Sequence, residues 1–225
     1  MEQTQLNRRE FLASTFTAVG GLIVAFHLPD VLNKAIAAAP GPAMVSPAPN
    51  AFIHIAPDNT ITMLINKLEM GQGVNTSLAM LIAEELECDW KSIRSVSAPV
   101  NPVYNHTVYG MQMTGGSTAL ASSWEQHRLI GASMREMLKA AAAQRWGVPV
   151  AELRAEHGYI VHNGRGKLSY GELAEEANKL PLPANPKLKK SSQFKLIGKS
   201  PKRVDAIAKS NGSAVFGMDV RLPGM

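Results

Sequence analysis

Cysteine is almost absent from this chain, with Cys88 the only one among 225 residues. A single thiol excludes an intrachain disulfide, and it excludes an iron–sulfur cluster held by several cysteines of this chain. Aromatic residues make up only 6% of the sequence, and no basic stripe is interleaved with them. Nucleic-acid surfaces combine those two features, so we expect no nucleic-acid partner despite a net charge of +5.

Several catalytic and metal-binding patterns are also missing. After residue 39 no apolar run approaches the ~20 residues that span a bilayer. No Gly-x-Ser-x-Gly elbow is present, and Glu69, the one candidate base near a glycine loop, has no neighbour that would raise its pKa. The five histidines after residue 39 do not form a metal cluster: His54, His106, His127, His157 and His162. Two of them, His157 and His162, lack the cysteine partners of a zinc module. The sequence therefore yields no catalytic residue and no metal ligands.

The amino terminus has the pattern of an export signal. Arg8-Arg9 precedes an apolar run over residues 11–28, and Ala37-Ala38-Ala39 offers small side chains for a signal peptidase. The paired arginines before Glu10-Phe-Leu give this segment the twin-arginine form. We therefore expect residues 1–39 to be a twin-arginine signal peptide and the protein to be periplasmic. If the leader stays uncleaved, it would serve as a weak inner-membrane anchor.

The first half of the body combines strand and helix patterns. Residues 52–56 and 61–65 flank Pro57-Asp58-Asn59, which predicts a β-hairpin. Residues 76–87 carry Leu and Ile on one helical face, and the glutamates among them are expected to face solvent. Residues 93–100 read as another strand, with Ile93, Val96 and Val100 as its buried side chains.

The second half contributes a long helix and a second hairpin. Residues 117–146 have a helical composition that ends at Gly147 and Pro149. Strand patterns then flank Asn163-Gly-Arg-Gly, and Ser169 with Glu172 has capping-box spacing for a short helix. The remainder, residues 194–225, has strand-like pieces at its start and at 214–220. Together these patterns predict an α+β fold.

The first candidate binding loop is Glu69-Met-Gly-Gln-Gly-Val-Asn-Thr76. Gly71 and Gly73 let the backbone approach a ligand, and they lie directly before a helix whose first N–H groups attract an anion. Gln72 and Thr76 offer polar side chains to the same ligand. A plain loop is the alternative, because the sequence has neither GxGxxG spacing nor a phosphate-loop lysine.

The second candidate loop is Met113-Thr-Gly-Gly-Ser-Thr118, again before a helix. The paired glycines Gly115 and Gly116 and the hydroxyls of Ser117 and Thr118 repeat the same anion-binding chemistry. Capping of the helix by Ser117 or Thr118 is the alternative. Two such loops in one short chain favour a long ligand with more than one anionic or polar end.

Three blocks of the sequence resemble one known family. EMGQGVNTSLAMLIAEELECDWKSIRSVSAPVN and GMQMTGGSTALASSWEQHRLIGASMREML are similar to two blocks of the large subunits of molybdenum hydroxylases, which include xanthine dehydrogenase, aldehyde oxidoreductase and isoquinoline oxidoreductase. LIGKSPKRVDAIAKSNGSAVFGMDVRLPGM resembles the opening of that family's α/β hammerhead domain. The resemblance divides the chain into a signal peptide (1–39), a Pro-rich linker (40–50), a molybdopterin-binding-type α+β domain (51–180), a linker (181–193) and an incomplete hammerhead domain (194–225).

The resemblance implies a molybdopterin cytosine dinucleotide cofactor. By analogy, eight residues of the two loops would bind it: Gly71, Gln72, Gly73, Thr76, Gly115, Gly116, Ser117 and Thr118. It further implies oxidation of an aldehyde or N-heterocycle with water-derived oxygen, and electron transfer to a separate iron–sulfur subunit and then to a cytochrome c subunit. The single cysteine agrees with clusters on a partner chain.

The chain departs from the family in length. The family's large subunit is several times longer, and the block with its catalytic glutamate has no counterpart here. We therefore expect an amino-terminal portion that needs the remainder of the large subunit and has no turnover alone. Two alternatives are a non-catalytic interaction or assembly module that retains the fold, and a generic nucleotide binder that uses residues 71–76.

Overall fold

A computed structural model describes residues 22–26 and 50–225 of the chain. The predicted signal peptide lies outside the described residues except for Leu22–Phe26, and the predicted linker lies outside them up to residue 49. Both therefore stay predictions, as do the domain boundaries. Leu22–Phe26 forms strand β1, which the sequence analysis did not predict.

The first sheet has four strands in the order β1-β2-β3-β4. Strand β2 (Asn50–Ile55) pairs antiparallel with both β1 and β3 (Ile61–Ile65), with Ile53 opposite Met63. The predicted hairpin is thus confirmed. Its turn uses Asn59 in the left-handed region, at φ 68°, which asparagine tolerates better than most side chains.

The candidate glycine loop lies inside a β-α-β unit. Strand β3 leads through residues 66–73 into helix α1 (Val74–Leu86), and β4 (Ile93–Ser97) then returns parallel to β3. Ligands of such units bind at the carboxyl ends of the strands, where the loop lies. The expected burial of β4 is only partly right. Ile93 is buried, but Val96 is 44% and Val100 96% exposed, because β4 is the last strand of the sheet and ends at Ser97.

Two helices form the centre of the core. Helix α2 (Ala119–Trp146) confirms the predicted long helix, and it packs against α1 through Gly131. A Cβ atom at Gly131 would lie 2.4 Å from the carbonyl oxygen of Ile82, so only glycine allows this approach. Apolar side chains from α1, α2 and the strands fill the interface: Ile53, Ile61, Leu78, Ile82, Ile130, Met134 and Leu138.

A second, smaller sheet covers the end of α2. Strands β5 (Arg154–Glu156), β6 (Tyr159–His162) and β7 (Gly166–Ser169) form an antiparallel meander, which confirms the second hairpin. Helix α3 (Tyr170–Asn178) follows with the predicted reciprocal capping box between Ser169 and Glu172. Short 3₁₀ turns occur at Trp90–Ser92, Pro102–Tyr104, Val150–Glu152, Ser191–Gln193 and Gly217–Asp219. The observed fold is therefore α+β with small sheets.

The last 45 residues cross the surface of this body. Helix α4 (Ala206–Ser210) is their only α-helix, and none of residues 181–225 lies in a strand. The expected strand pieces at the start of residues 194–225 and at 214–220 are therefore not formed, since no neighbouring strand pairs with them here. Val215, Phe216 and Met218 are exposed.

Two glutamates of α1 are buried, so the prediction that they face solvent is wrong. Glu84 and Glu85 were expected to face solvent, but both side chains are fully buried. Glu84 accepts hydrogen bonds from the backbone N–H groups of Leu196 (2.7 Å) and Ile197 (2.9 Å) and from Lys189 Nζ (2.7 Å). These glutamates are not exposed because residues 187–197 fold back onto this side of α1.

Two arginines of α2 connect Glu85 to the same segment, residues 187–197. Arg128 donates to Glu85 Oε1 from Nε (2.8 Å) and from Nη2 (2.6 Å), and the same Nη2 donates to the carbonyl of Lys189. Arg135 donates to the carbonyl oxygens of Glu85 and Lys187. Glu84, Glu85 and the two arginines, here called the carboxylate anchor, thus join α1, α2 and residues 187–197.

Within the part of the chain that the structure describes, no helix combines the length and the apolar character that crossing a membrane would require.

The anchor predicts an acid-dependent loss of stability. Burial opposes the ionisation of Glu84, but hydrogen bonds from Lys189 and from three backbone N–H groups outweigh it, so its pKa lies below the usual 4.5. A lowered folded-state pKa stabilises the fold above pH 4.5, and that contribution is lost as the pH falls through the lowered value. We expect Glu84→Gln to reduce the free energy of unfolding by about 3 kcal/mol at pH 7 in urea titrations.

The difference in unfolding free energy between the wild type and Glu84→Gln should shrink as the pH falls below 4.5. Glu125→Gln, on the exposed face of α2, is the matched control and should leave stability nearly unchanged. A Glu84→Gln protein as stable as the wild type at pH 7 would show that the buried carboxylate is not what holds residues 187–197.

Candidate functional site

The structure brings the two candidate loops together. The backbone N–H of Leu68 donates to Thr114 Oγ1 at 2.7 Å, which joins the start of the first loop to the second. Between them lies an open cleft of about 320 Å³. Residues of both loops line it: Met70, Gln72, Thr114, Gly115, Gly116, Ser117, Thr118 and Ala119. Five of the eight predicted site residues therefore share one cleft.

Glycine is required in the first loop for its backbone angles. Gly71 has φ 108° and Gly73 has φ 86°, and no atom lies within 4 Å of the Cβ position at either residue. The left-handed conformation, and not a close contact, thus explains the two glycines.

Three N–H groups of the first loop are already occupied by a carboxylate of the same loop. Glu69 Oε1 accepts from Gly71 (2.8 Å) and Gly73 (3.0 Å), and Oε2 accepts from Asn75 (3.0 Å). The expected anion site at the start of α1 is thus filled by the chain's own carboxylate, placed where helix N-termini favour negative charge.

Glu69 is held as an ion. Burial opposes ionisation, but the hydrogen bonds from Gly73, Asn75 and Gly71, together with the charge of Lys209, outweigh it and lower the pKa of Glu69. A carboxylate with a lowered pKa and three hydrogen bonds is a poor general base at neutral pH. That no catalytic role falls to Glu69 stays a prediction; its structural role was not predicted from the sequence.

The polar side chains of the first loop are also engaged. Gln72 accepts from the N–H of Met70 (2.7 Å) and donates to the carbonyl of Leu68 (2.8 Å), so its amide fixes the loop while lining the cleft. Thr76 is buried, and its hydroxyl oxygen accepts from the N–H of Val204 at 3.2 Å. Thr76 thus contacts residues 203–205 and does not line the cleft.

Residues 203–209 close the back of the first loop. Arg203 donates from Nη1 to the carbonyl of Gly71 (3.0 Å) and from Nη2 to Glu69 Oε1 (3.2 Å). Asp205 pairs with both Arg203 and Lys209, and its pKa falls to about 2 because Arg203 hydrogen-bonds to it. The loop is thus held from within by Glu69 and from behind by Arg203.

Two N–H groups of the second loop, and that of Ala119 directly after it, have no partner among the described residues. Gly116 (φ 60°) and Ser117 (φ 54°) are both left-handed, and consecutive N–H groups in such a turn form an anion-binding concavity. Within residues 50–225 no oxygen accepts from the N–H of Gly116, Ser117 or Ala119. A non-glycine residue with positive φ costs about 1–2 kcal/mol, and such strain concentrates at ligand sites.

His106 fixes the shape of the second loop. Its Nδ1 accepts from the N–H of Val108 (3.0 Å), so Nε2 is the protonated nitrogen and donates to Thr118 Oγ1 (2.8 Å). Thr118 in turn donates to the carbonyl of Gly115 (2.9 Å). Thr118 is the N-cap residue of helix α2, but no side chain of the described residues makes a capping hydrogen bond to the helix.

Only the second-loop side of the cleft is suited to the negative charge of a large anionic group. The second loop offers unpaired N–H groups at the N-terminus of the 28-residue helix α2, where the helix dipole favours negative charge. The first loop forms the opposite wall with Met70 and Gln72, and Glu69 occupies the N–H groups of Gly71, Gly73 and Asn75. A phosphate-bearing organic group therefore fits with its charge at the second loop. Among the described residues, no cluster of three or more His, Cys, Asp or Glu side chains is placed to hold a metal ion.

Three residues that shape this site were missed from the sequence. His106 and Arg203 lie 12 and 132 positions from the groups they position, so no local pattern pointed to them. Glu69 did have a local signal, because an acidic residue just before Gly-x-Gly and a helix is placed to accept the loop's N–H groups.

Glu69 is expected to hold the first loop closed. Glu69→Gln keeps the shape of the side chain but removes the charge that three N–H groups share. We expect the amides of Gly71, Gly73 and Asn75 to exchange with solvent at least about tenfold faster in NMR hydrogen exchange.

Glu175→Gln, on the exposed surface of α3, serves as the control and should leave those exchange rates unchanged. Unaltered exchange at all three amides in Glu69→Gln would contradict the assignment of Glu69 as the internal anion.

Comparison with known proteins identifies the family of the chain. A family model described as the molybdopterin cofactor-binding domain matches residues 30–220. The chain is 31% identical over 261 residues to the beta subunit of isoquinoline 1-oxidoreductase from Brevundimonas diminuta, covering 100% of this chain and 33% of the relative.

Two further relatives carry related names. The membrane-bound aldehyde dehydrogenase (pyrroloquinoline-quinone) of Gluconacetobacter polyoxogenes is 32% identical over 239 residues, covering 100% of this chain and 29% of the relative. A nicotinate dehydrogenase subunit from Pseudomonas putida is 30% identical over 175 residues, covering 77% of this chain and 14% of the relative. The chain thus spans a third or less of the curated relatives it matches. Since the family model covers most of the chain, the chain belongs to the molybdopterin cofactor-binding family of the molybdenum hydroxylases.

Proposed function

We propose that this chain forms the cofactor-binding part of an exported molybdenum hydroxylase that oxidises an aldehyde or an N-heterocycle. One observation carries the proposal: two distant glycine loops meet in one cleft, and three residues that line it at the start of a long helix have N–H groups without an acceptor among the described residues. Membership of the family supports a molybdopterin as the occupant.

The two loops have different tasks in this proposal. The N–H groups of Gly116, Ser117 and Ala119 bind the phosphate end of the cofactor, while Met70 and Gln72 form the opposite wall. Glu69 occupies the donors of the first loop and so keeps the anion at the second. When bound, the cofactor supplies two-electron oxidation with water-derived oxygen, which no side chain of this chain provides.

The family and the composition support further proposals about the assembly. We propose the cytosine dinucleotide form of the cofactor, an iron–sulfur subunit and a cytochrome c subunit as electron acceptors, and the remainder of a large subunit that includes a completed hammerhead domain. Desolvation raises the pKa of the Cys88 thiol to about 12, so this one cysteine is a poor ligand for a cluster. The twin-arginine leader supports a periplasmic location, in association with the inner membrane.

We propose that the chain by itself turns over no substrate. The described residues that line the cleft include no carboxylate and no histidine, and the nearby Glu69 is held as an ion by three N–H groups. The alternative is a non-catalytic interaction or assembly module. The exposed apolar side chains of residues 215–222 favour contact with another polypeptide in either case.

The test is the cofactor content of the native assembly. Purified gently, it should contain molybdenum and a pterin, and hydrolysis of the cofactor should release cytidine monophosphate. Recovery of pyrroloquinoline quinone, the cofactor named for the aldehyde dehydrogenase relative, with no molybdenum and no pterin would overturn the proposal.

A charge at the second loop should prevent binding of the cofactor. Aspartate tolerates the left-handed backbone of Ser117, so Ser117→Asp adds a negative charge without changing the fold. We expect at least about a tenfold loss of bound molybdenum in the purified assembly, because the new carboxylate repels phosphate. Ser191→Asp, an exposed site away from the cleft, should retain the cofactor.

A further inference from the structure

A short loop supports the start of helix α2 from the side of the protein interior. Residues 105–111, here called the supporting loop, contact this region twice. Thr107 Oγ1 donates to the carbonyl of Ser122 (3.0 Å), and the buried side chain of His106 contacts Thr118 Oγ1 (2.8 Å). The backbone N–H and carbonyl of His106 both form hydrogen bonds within the supporting loop. His106 is therefore held in place beside the second candidate loop.

The hydroxyl of Thr118 is engaged away from the helix. It accepts from His106 Nε2 and donates to the carbonyl of Gly115 (2.9 Å). A threonine directly before a helix ordinarily turns its oxygen to the N–H groups of the second and third helical residues, from an extended backbone. Thr118 instead has φ −96° and ψ −7°. The N–H groups that a cap would bind, those of Leu120 and Ala121, have no acceptor among the described residues.

A capped helix and an open second loop are alternative arrangements of the same residues. The extended backbone that a cap requires differs from the present angles of Thr118, and the left-handed pair Gly116 and Ser117 directly before it would have to move as well. Capping would be favourable in the free chain, because it satisfies helix donors and relieves the positive φ of Ser117. A group outside the second loop must therefore hold the open arrangement.

We propose that His106 is a positioning residue that prevents Thr118 from capping helix α2 and so keeps the N–H groups of the second loop open for an anion. Because His106 donates to the Thr118 oxygen, the hydroxyl proton is directed to Gly115 and the oxygen is kept away from the helix. The use of the open loop for a phosphate-bearing cofactor rests on the proposed function. The role of His106 in holding the loop open does not.

His106 has the protonation state that this role needs. Its Nδ1 accepts from the N–H of Val108 (3.0 Å), which leaves the proton on Nε2, facing Thr118. Burial and the positive charge of Lys67 lower the pKa of His106, so the ring is neutral at pH 7 and Nδ1 stays an acceptor. Tyr109 packs against the ring with the two centroids 4.7 Å apart, which helps to fix its orientation.

The variant His106→Phe keeps an aromatic ring and removes the donor to Thr118. Loss of a merely structural contact would speed amide exchange at the start of α2. We expect the opposite: with Thr118 released to cap the helix, the amides of Leu120 and Ala121 should exchange with solvent about fivefold more slowly than in the wild type, as measured by NMR on the full chain. Thr107→Val removes the other hydrogen bond between the supporting loop and α2, and as the matched control it should not slow them.

A double variant separates capping from other effects of the substitution. His106→Phe combined with Thr118→Val lacks the hydroxyl that would cap the helix, so the fast exchange of Leu120 and Ala121 should return. Slow exchange that persists in the double variant would overturn the proposal. So would exchange in His106→Phe that is as fast as in the wild type, or faster.

The molybdenum content of the native assembly connects the cap to the proposed function. It should fall about fivefold in His106→Phe and recover in part in the double variant, because an uncapped helix leaves its N–H groups to the anion. Slowed exchange in His106→Phe together with an unchanged molybdenum content would show that the cap and the cofactor do not compete, against the proposal. A wild-type assembly without molybdenum would contradict the proposed function alone, since the exchange measurement needs no cofactor.

The wild type provides a test even where His106→Phe does not fold. Nitrogen-15 NMR of the imidazole should show a neutral His106 with its proton on Nε2, and the amides of Leu120 and Ala121 should exchange as fast as those of an unstructured peptide. A proton on Nδ1 would mean that Nε2 accepts from Thr118, whose hydroxyl then cannot donate to Gly115, and the proposal would be wrong. Slow exchange of both amides in the wild type would equally contradict it.

Discussion

Two carboxylates buried side by side on α1 determine how the rest of the chain is arranged. Glu84 and Glu85 cannot lie in the interior without partners, and residues 187–197 supply them through backbone N–H groups. Arg128 and Arg135 connect the same carboxylates to α2. Because α1 begins at the first glycine loop and α2 begins at the second, this anchor also fixes the two loops relative to each other.

The two loops illustrate how one motif serves two purposes. Each has glycines with positive φ before a helix, yet Glu69 fills the first loop and Arg203 closes it from behind, whereas the N–H groups of Gly116 and Ser117 stay open. This difference gives a single binding site, in which the second loop binds the anionic end of a ligand and the first loop forms the opposite wall.

Local patterns predicted most of the secondary structure but not the tertiary contacts that decide function. Both hairpins, α1, α2 and the capping box at Ser169 followed from periodicity and turn residues. The burial of Glu84 did not, because its partners lie more than 100 positions away. Strand pieces in residues 214–220 were predicted from composition, but a strand also needs a partner, which propensity does not reveal. Both glycine loops were predicted from the sequence. Which of them keeps unpaired backbone N–H groups depends on Glu69.

Hydrogen exchange in the wild-type chain tests most directly whether the carboxylate anchor organises the fold. The amides of Lys195, Leu196 and Ile197 lie in no helix or strand, so only Glu84 protects them. The account predicts that they exchange as slowly as amides in the middle of α1, through the same opening event. Exchange as fast as that of Gly212, in an exposed turn, would contradict it.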